Sequence, residues 1–323
     1  MKKILYSWLI AGLASASISC GGSDDSASSS DATGTTTTAE SLSGSGVVIV
    51  AGLSGNILKS TDKGSSFDNA TSSTSKNLYE VDFGNSTFVV SSDNGTILKS
   101  TDNGSSFDSI STSTANTLFG VGFGNNIFAA VGVSGSIVKS NDKGATWDNA
   151  TSPTANYLRG IVFGNNTFVA VGDSGNIVRS DDGTSFDNVT SPVTKDLYGV
   201  GYGNSTFVAV GDNGTILRST AENGSSWDNA TSPTSSNLYG VVFGNNAFVA
   251  VGDNGTIVRS IDNGSTWDNV TSPTSNFLIG IGFGYDTFLA VGTYGNILRS
   301  TDNGSLWDNS TSPTVNQLRG VGF

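Results

Sequence analysis

Residues Leu238–Asn276 read LYGVVFGNNAFVAVGDNGTIVRSIDNGSTWDNVTSPTSN, and this stretch decides the fold. Lightly edited copies of it return about every forty residues from Val47 to the end of the chain. A period of this length indicates one supersecondary unit that cannot bury its own apolar surface and must stack on copies of itself. The sequence therefore predicts a repeat architecture.

The residue pattern within each repeat unit predicts four antiparallel strands. Short runs rich in Val and Phe, bounded by turn residues, indicate strands buried on both faces, and Asn254-Gly255 supplies the positive φ angles of a tight hairpin. The predicted strands are Leu238–Phe243, Ala247–Gly252, Thr256–Ser260 and Thr266–Val270. Thr271–Asn276 contains a proline, which cannot donate to a strand ladder, so it is the predicted loop to the next unit. Four strands without helical periodicity are typical of a propeller blade.

The turn between the third and fourth strands counts the blades. It follows the pattern S-x-D-x-G-x-[S/T]-[F/W], with Leu306 in the Ser/Thr place of the last copy. Ser180–Phe186 is one residue short, and Ser219–Trp227 is one residue long with Glu222 in place of Asp. The total predicts an all-β protein, a seven-bladed β-propeller. The seven acids are Asp62, Asp102, Asp142, Asp182, Glu222, Asp262 and Asp302.

The two ends of the repeat region predict how the ring closes. The first unit starts at Val47 without its first strand, and the chain finishes on a lone LRGVGF, Leu318–Phe323. Because unpaired strand edges invite aggregation, we expect Leu318–Phe323 to supply the innermost strand of the first blade.

The acidic turn resembles the Asp-box (BNR-type repeat) of sialidase-type and sortilin-type propellers. The fuller pattern LxGVxF…FVAVGxxGTILRSTDxGxxW is similar to the photosystem II assembly-factor group of seven-bladed propellers and its bacterial relatives. The resemblance covers Val47–Phe323. It implies the fold, a structural turn away from any active site, and an arginine-lined patch on the face with the acidic turns; it does not imply one activity, because such propellers host unrelated functions.

Residues 1–19 predict a signal peptide of the lipoprotein type, with Lys2 and Lys3 before the apolar run Ile4–Leu13. Cys20 is the only cysteine of the chain, so it cannot form an intramolecular disulfide. We expect cleavage before Cys20 and its acylation, although Ser17 stands where a lipobox usually has Leu. The alternative is ordinary signal cleavage that leaves a free thiol. The predicted location is the bacterial cell envelope, at the outer membrane or cell surface.

Residues 20–46 predict a disordered tether, because this Ser/Thr/Gly-rich segment has almost no apolar residues to offset the entropy of ordering. The predicted propeller domain is then residues 47–323. The chain carries 15 basic and 27 acidic residues, a net charge of −12. This surplus argues against a nucleic-acid partner and against adsorption to anionic lipid. It is equally what keeps many secreted domains soluble.

The seven turn acids are predicted to be structural, accepting hydrogen bonds from their own turns. Each turn offers too few oxygen ligands for calcium, and no metal or cofactor is predicted. A basic residue recurs on strand three, and we expect it to pair with the acid after the aromatic residue, directly across the hairpin. The alternative is a positive ring near the acidic turns. The bases are Lys59, Lys99, Lys139, Arg179, Arg218, Arg259 and Arg299; the acids are Asp68, Asp108, Asp148, Asp187, Asp228, Asp268 and Asp308.

The second residue of strand one is the most variable place in the repeat. Tyr and Arg, which dominate binding hot spots, recur there, and the position is expected near the mouth of the central channel. The predicted rim is Tyr79, Phe119, Arg159, Tyr198, Tyr239 and Arg319, with Tyr294 from a nearby turn; Ile279 completes the column. Leu53, Val133, Glu80 and Asp82 also depart from the repeat. The alternative for these positions is packing between blades.

An enzyme needs a nucleophile and an acid or base in one pocket, and this chain has no histidine. The sequence therefore predicts a non-enzymatic, monomeric scaffold that binds or assembles protein. Two alternatives stay open. One is a glycan-binding or sialidase-like propeller, and the other is a surface adhesin or coat protein.

Overall fold

The computed structural model describes residues 46–323. The predicted signal peptide, Cys20 and all but the last residue of the predicted tether lie outside the described residues. Residues 46–323 form seven sheets that each contain four antiparallel strands, which confirms the seven-bladed propeller; one of the sheets has a fifth short strand. No helix within this range is long and apolar enough to span a membrane.

Each blade is numbered in chain order from the first acidic turn, and its strands are given from the innermost outwards. Blade 1 consists of Leu318–Gly322, Val48–Gly52, Ile57–Ser60 and Asp68–Asn69; blade 2 of Leu78–Gly84, Thr87–Ser92, Thr96–Ser100 and Ser106–Ser111; blade 3 of Leu118–Gly124, Ile127–Gly132, Ile137–Ser140 and Asp148–Asn149; blade 4 of Leu158–Gly164, Thr167–Gly172, Ile177–Ser180 and Asp187–Val189. Blade 5 consists of Leu197–Gly203, Thr206–Gly211, Ile216–Ser219 and Trp227–Asn229; blade 6 of Leu238–Gly244, Ala247–Gly252, Ile257–Ser260 and Asp268–Val270; blade 7 of Leu278–Gly284, Thr287–Gly292, Ile297–Ser300 and Asp308–Asn309.

The ring closes as the sequence predicts. Leu318–Gly322 pairs antiparallel with Val48–Gly52, in a register that sets Val321 opposite Val50 and Gly320 opposite Ala51. A single sheet therefore contains the first and the last strand of the propeller.

The core lies between blades. One apolar cluster, for example, joins Val208 and Val210 of blade 5 to Leu238, Phe248 and other residues of blade 6. All six residues of the second strand Ala247–Gly252 are buried, as predicted. The innermost strand Leu238–Gly244 is not buried on both faces, because residues between its buried positions are partly exposed. Innermost strands border the central channel, and the prediction of two buried faces is wrong for them.

The turns between second and third strands have the predicted left-handed residues. Asn254 and Gly255 have φ angles of 55° and 68°, and asparagine and glycine tolerate this region best. In six blades these turns form three-residue 3-10 segments: Leu53–Gly55, Val133–Gly135, Asp173–Gly175, Asp212–Gly214, Asp253–Gly255 and Thr293–Gly295. One further short strand, Thr71–Ser72, pairs parallel with the outermost strand of blade 2.

Glycines allow the innermost strands to approach one another. A Cβ added at Gly280 of blade 7 would lie 1.7 Å from the backbone oxygen of Arg319 in the closing strand. A Cβ at Gly122 of blade 3 would meet its nearest atom, the backbone oxygen of Ile161, at 3.3 Å. The space available for a side chain on the innermost strands therefore differs from one pair of neighbouring blades to another.

We predict that Gly280→Ala lowers the free energy of unfolding by about 3 kcal/mol, because overpacking here meets backbone that cannot rotate away. Gly122→Ala is the control and should change it by less than about 1 kcal/mol. Chemical denaturation of both variants measures the difference. Equal midpoints for Gly280→Ala and the unmodified chain would contradict this account of the inner ring.

Candidate binding interface

Every innermost strand has a β-bulge near its start. The bulge leaves the second residue of the strand without a cross-strand partner, and the side chain of this residue lies at the mouth of the channel. In blade 6, Leu238 lies opposite Gly252 and Gly240 lies opposite Val251, so Tyr239 has no partner in the ladder. A bulge of this kind bends the strand and redirects the extra side chain. The irregularity occurs in all seven blades. It aims the seven residues of the predicted column: Tyr79, Phe119, Arg159, Tyr198, Tyr239, Ile279 and Arg319.

Turn carboxylates hold three of these rim side chains. The Tyr79 hydroxyl donates to Asp93 Oδ1 at 2.7 Å, and the Tyr198 hydroxyl donates to Asp212 Oδ1 at 2.7 Å. In blade 4 the Arg159 guanidinium donates to both carboxylate oxygens of Asp173, at 2.7 and 3.1 Å. The first residue of the turn between strands two and three is thus the rim residue's partner within the blade.

These contacts keep the tyrosines protonated. Burial, together with the hydrogen bond to the Asp93 carboxylate, raises the pKa of Tyr79 to about 12. Burial and the neighbouring Asp253 carboxylate raise the pKa of Tyr239 to about 12. Both hydroxyls are therefore neutral donors across the physiological pH range.

Rim residues of blades 1 to 4 form a continuous arc. The Arg319 guanidinium lies 5.1 Å from the ring centre of Tyr79, whose ring meets that of Phe119 edge-on at 5.2 Å. The Arg159 guanidinium lies 5.1 Å from the Phe119 ring and 5.3 Å from the Tyr157 ring. Cation–π contacts of this kind contribute about 0.5–1 kcal/mol each at exposed sites. We call Arg319, Tyr79, Phe119, Arg159 and Tyr157 the arginine–aromatic arc.

The remaining blades differ in chemistry. Tyr198 of blade 5 and Tyr239 of blade 6 stack with ring centres 5.3 Å apart, and we call them the tyrosine pair. In blade 7 the rim residue is Ile279, and Tyr294 of the adjacent turn is 75% exposed. Tyr294 has a φ of 61°, a left-handed conformation that is strained for a bulky residue. The structure thus brings six of the predicted residues into two contacting groups and leaves Tyr294 projecting by itself.

Two exposed aromatic residues on this face were missed by the sequence analysis. Tyr157 is 40% exposed and Phe277 is 44% exposed, and each immediately precedes the first leucine of an innermost strand. The other five blades carry Asn, Thr, Asp or Gln at this position. Aligning this column of the repeat would have revealed the two aromatic exceptions.

Hydrogen bonds within the inter-blade loops fix the face. In the loop before blade 4, the Thr154 amide donates to Ser152 Oγ at 3.5 Å, and the Asn156 amide donates to Thr154 Oγ1 at 3.0 Å. A Cβ added at Gly135 in the neighbouring turn would lie 1.9 Å from the Thr154 backbone oxygen, so the turn packs directly on the loop. The rim is therefore presented by a rigid support rather than by free loops.

Blade 2 places two carboxylates in the inner ring. Glu80 and Asp82 stand where the other blades have only Gly or Val. The Asp82 carboxylate accepts from the Phe83 amide at 2.8 Å, and the bulge of this blade is longer, with the Glu80 amide donating to Ser91 Oγ instead of to the ladder. Burial raises the pKa of Glu80 to about 8 and that of Asp82 to about 7.

Six of the seven acidic turns satisfy their own carboxylates, whereas Glu222 accepts no hydrogen bond within residues 46–323 and the Ser225 amide of its turn donates to Asn223 Oδ1 instead. Asp62 accepts from the hydroxyls of Ser60 and Ser66, both at 2.7 Å, and from the amides of Ser65 and Ser66. Burial alone would raise the pKa of Asp62, but these hydrogen bonds outweigh it and lower the pKa to about 2. Within residues 46–323 no group of three metal-ligating side chains converges.

The bases of strand three do not form the expected ion pairs. The register sets each base opposite its acid, as Arg259 opposite Asp268. However, the ion pairs of the described residues are Arg159–Asp173 and Arg179–Asp181. Arg259 Nε instead donates to the Asn303 backbone oxygen in the acidic turn of blade 7, at 2.6 Å. The backbone carbonyl of the next blade's turn lies within hydrogen-bonding distance of the guanidinium. Arg218 and Arg299 donate in the same way to backbone oxygens in the acidic turn of the next blade, and Lys59 and Lys139 donate to side-chain hydroxyls there.

The fold and the rim define a seven-bladed propeller with a polar and aromatic channel mouth. The family described as DUF6242 beta propeller domain matches residues 200–318. Comparison with curated proteins gave no significant match.

Solved structures share the fold. A structure described as YCF48 bound to D1 peptide has a TM-score of 0.61 and 16% identity, covering 87% of this chain and 95% of that chain. YCF48 from Cyanidioschyzon merolae has a TM-score of 0.59 and 16% identity, covering 76% of this chain and 94% of that chain. The computationally designed Ika8 protein has a TM-score of 0.64 and 13% identity, covering 86% of this chain and 87% of that chain. At such identities the likeness concerns the fold alone.

We predict that the inner-ring carboxylates make stability fall as pH rises. Their pKa values in the folded chain exceed the ordinary values of 4.5 and 3.8. The stabilisation is therefore complete below pH 3.8 and is lost as pH rises through about 7 and about 8. Thermal melts of the Glu80→Gln, Asp82→Asn double variant should show a flatter pH dependence between pH 5 and 9 and a higher melting temperature at pH 9.

The control is Asp108→Asn, which removes an exposed carboxylate from the outermost strand of the same blade. It should retain the pH dependence of the unmodified chain. A double variant that loses stability equally steeply with pH would show that Glu80 and Asp82 are not the groups responsible.

Proposed function

We propose that this chain is a lipid-anchored, secreted propeller that binds a protein segment across the rim. The observation that carries the proposal is the contacting set of Arg and aromatic side chains at the channel mouth, each held by a bulge and still partly exposed. Aromatic side chains bind strongly because they offer large contact areas with little rotamer entropy to lose, and Arg159 is already held in place by Asp173.

The rigidity of the face supports the proposal. Loops held on a scaffold are where propellers present binding residues, and here a turn packs directly on the neighbouring loop, as Gly135 does against Thr154. The YCF48 structure of similar fold is described as bound to a D1 peptide. That description concerns YCF48, and for this chain it supports a protein segment as the class of ligand.

A non-enzymatic role and a monomeric state belong to the same proposal. The chain has no histidine, and Glu80 and Asp82, the described carboxylates with raised pKa values, lie among backbone amides and a serine. The outermost strands of six blades span only two or three residues. Short edge strands disfavour edge-to-edge association.

The proposed envelope location rests on the sequence of residues 1–46. A charged n-region, an apolar run and a following cysteine support export and acylation at Cys20. More than one acyl chain would anchor the chain durably. The polar segment between Cys20 and the propeller would then give the rim freedom to tilt toward a partner.

We predict that a photo-crosslinking amino acid at Tyr157 or Phe277 captures a discrete protein adduct in cells. Both side chains project from the rim face. The same probe at Ile261 or Leu306, exposed residues in the acidic turns, should not, because antiparallel strands place those turns at the opposite end of each blade. Gel shift and mass spectrometry of the full-length chain measure the adducts.

A second arm removes binding chemistry without moving the probe. Phe119→Ala with Arg159→Ala should abolish the adduct formed from Phe277, while Asp148→Asn, on the outermost strand of blade 3, should not. Adducts of equal yield from both faces, or adducts that contain only glycan, would reject the proposal. The second result would favour the glycan-binding alternative.

A further inference from the structure

The rim contains its own arginines in two places, and both lie in the same chemical setting. Arg159 makes a two-point ion pair with the turn carboxylate of Asp173 and lies over the rings of Phe119 and Tyr157. Arg319 lies over the ring of Tyr79, whose hydroxyl donates to the turn carboxylate of Asp93. In each case a guanidinium lies over an aromatic face and within the electrostatic influence of a turn carboxylate.

Blades 5 and 6 have the rings and the turn carboxylates without an arginine of their own at the rim position; the charge of Arg159 in blade 4 acts on Tyr198 from one side. The rings of the tyrosine pair lie 5.3 Å apart, and the turn carboxylates are Asp212 and Asp253. The position that holds arginine in blade 4 holds Tyr198 in blade 5 and Tyr239 in blade 6. Within residues 46–323, neither carboxylate takes part in an ion pair.

The carboxylates retain capacity to accept hydrogen bonds. Asp212 Oδ1 accepts from the Tyr198 hydroxyl at 2.7 Å. The Asp253 carboxylate lies beside the Tyr239 hydroxyl, and its Oδ1 is inaccessible to solvent. A carboxylate has about four lone-pair sites on its two oxygens. Each of these carboxylates therefore keeps acceptor sites beyond the one that faces its tyrosine.

The local electrostatics favour a positive charge. Burial raises the pKa of Tyr198, and the carboxylates of Asp212 and Asp196 raise it further. Asp196 is not free, because its Oδ1 accepts from the Ser174 amide at 2.7 Å. Lys195 beside it is exposed and forms no ion pair within residues 46–323. Negative charge next to two electron-rich ring faces attracts a cation.

We propose that the tyrosine pair, with the carboxylates of Asp212 and Asp253, receives one arginine side chain of the protein partner. This inference rests on the proposed protein-binding function and names the residue that the partner contributes. Arginine fits better than lysine, because its planar guanidinium can lie on a ring and donate to a carboxylate at the same time. Arg159 does both in blade 4.

The probe is the pentapeptide Ac-Gly-Gly-Arg-Gly-Gly-NH2, with the peptide in which citrulline replaces arginine as the neutral match of equal shape. NMR titration of the full chain with labelled tyrosines follows the rings, and Tyr198→Phe and Tyr239→Phe assign their signals. We expect saturable shifts at both rings with the arginine peptide. The citrulline peptide should bind at least tenfold more weakly.

The charge variant is Asp212→Asn with Asp253→Asn, which keeps an oxygen acceptor for the Tyr198 hydroxyl. Its matched control is Asp228→Asn with Asp268→Asn, which removes the same charge from exposed outermost strands of the same two blades. The first should weaken the arginine peptide at least tenfold, and the second less than twofold. Tyr239→Leu removes one ring and provides a second test if the first variant has a lowered melting temperature. It should also weaken binding of the arginine peptide.

Equal binding of the two peptides, or equal weakening in the charge variant and its control, would overturn the inference. Photo-crosslinking from Phe277 separates this failure from that of the proposed function. If the partner is captured equally with and without the two carboxylates, the arginine site is wrong and the protein-binding function stands. If the rim captures no protein in the unmodified chain, the function itself fails.

Discussion

The backbone pairing between the first and the last strand of the propeller is the constraint on which the other features depend. Val50 opposite Val321 and Ala51 opposite Gly320 join residues more than 250 positions apart into one sheet. Until this pairing forms, Val48–Gly52 of blade 1 lacks its inner partner strand, and the apolar cluster that joins blade 7 to blade 1 lacks Leu318 and Val321. Closure also places Arg319 at the channel mouth.

The tight inner ring explains why the binding face has its form. Because glycines fill much of the innermost strands, there is little room there for side chains, and the bulge moves the variable residue outward to the mouth. The acidic turns at the other end of each blade stabilise the contacts within and between blades instead. Their carboxylates bind their own turn, and their carbonyls receive arginines from the preceding blade. The end of each blade with the acidic turn holds neighbouring blades together, and the end with the rim residue varies in sequence.

Much of the fold could be predicted from the repeat because each turn, strand and acid recurs with fixed spacing. The column of rim residues also followed from the repeat, since variation in a uniform background stands out. The contacts of Arg259 could not be predicted, because they depend on how one blade lies against the next and not on the hairpin that contains the residue. Pairing of Arg159 with Asp173, and the raised pKa of Glu80, depend likewise on a bulge and a narrow channel that the residue pattern does not show. Tyr157 and Phe277 stand out only against the polar residues that the other five blades carry before the first leucine of the innermost strand.

The most direct measurement of ring closure compares the full chain with one that ends at Gln317. Removal of Leu318–Phe323 leaves Val48–Gly52 as an unpaired innermost edge and removes Val321 from the seam with blade 7. The account predicts a large drop in melting temperature and association of the shortened chain, measured by calorimetry and light scattering. A shortened chain that melts at the same temperature and stays monomeric would contradict it.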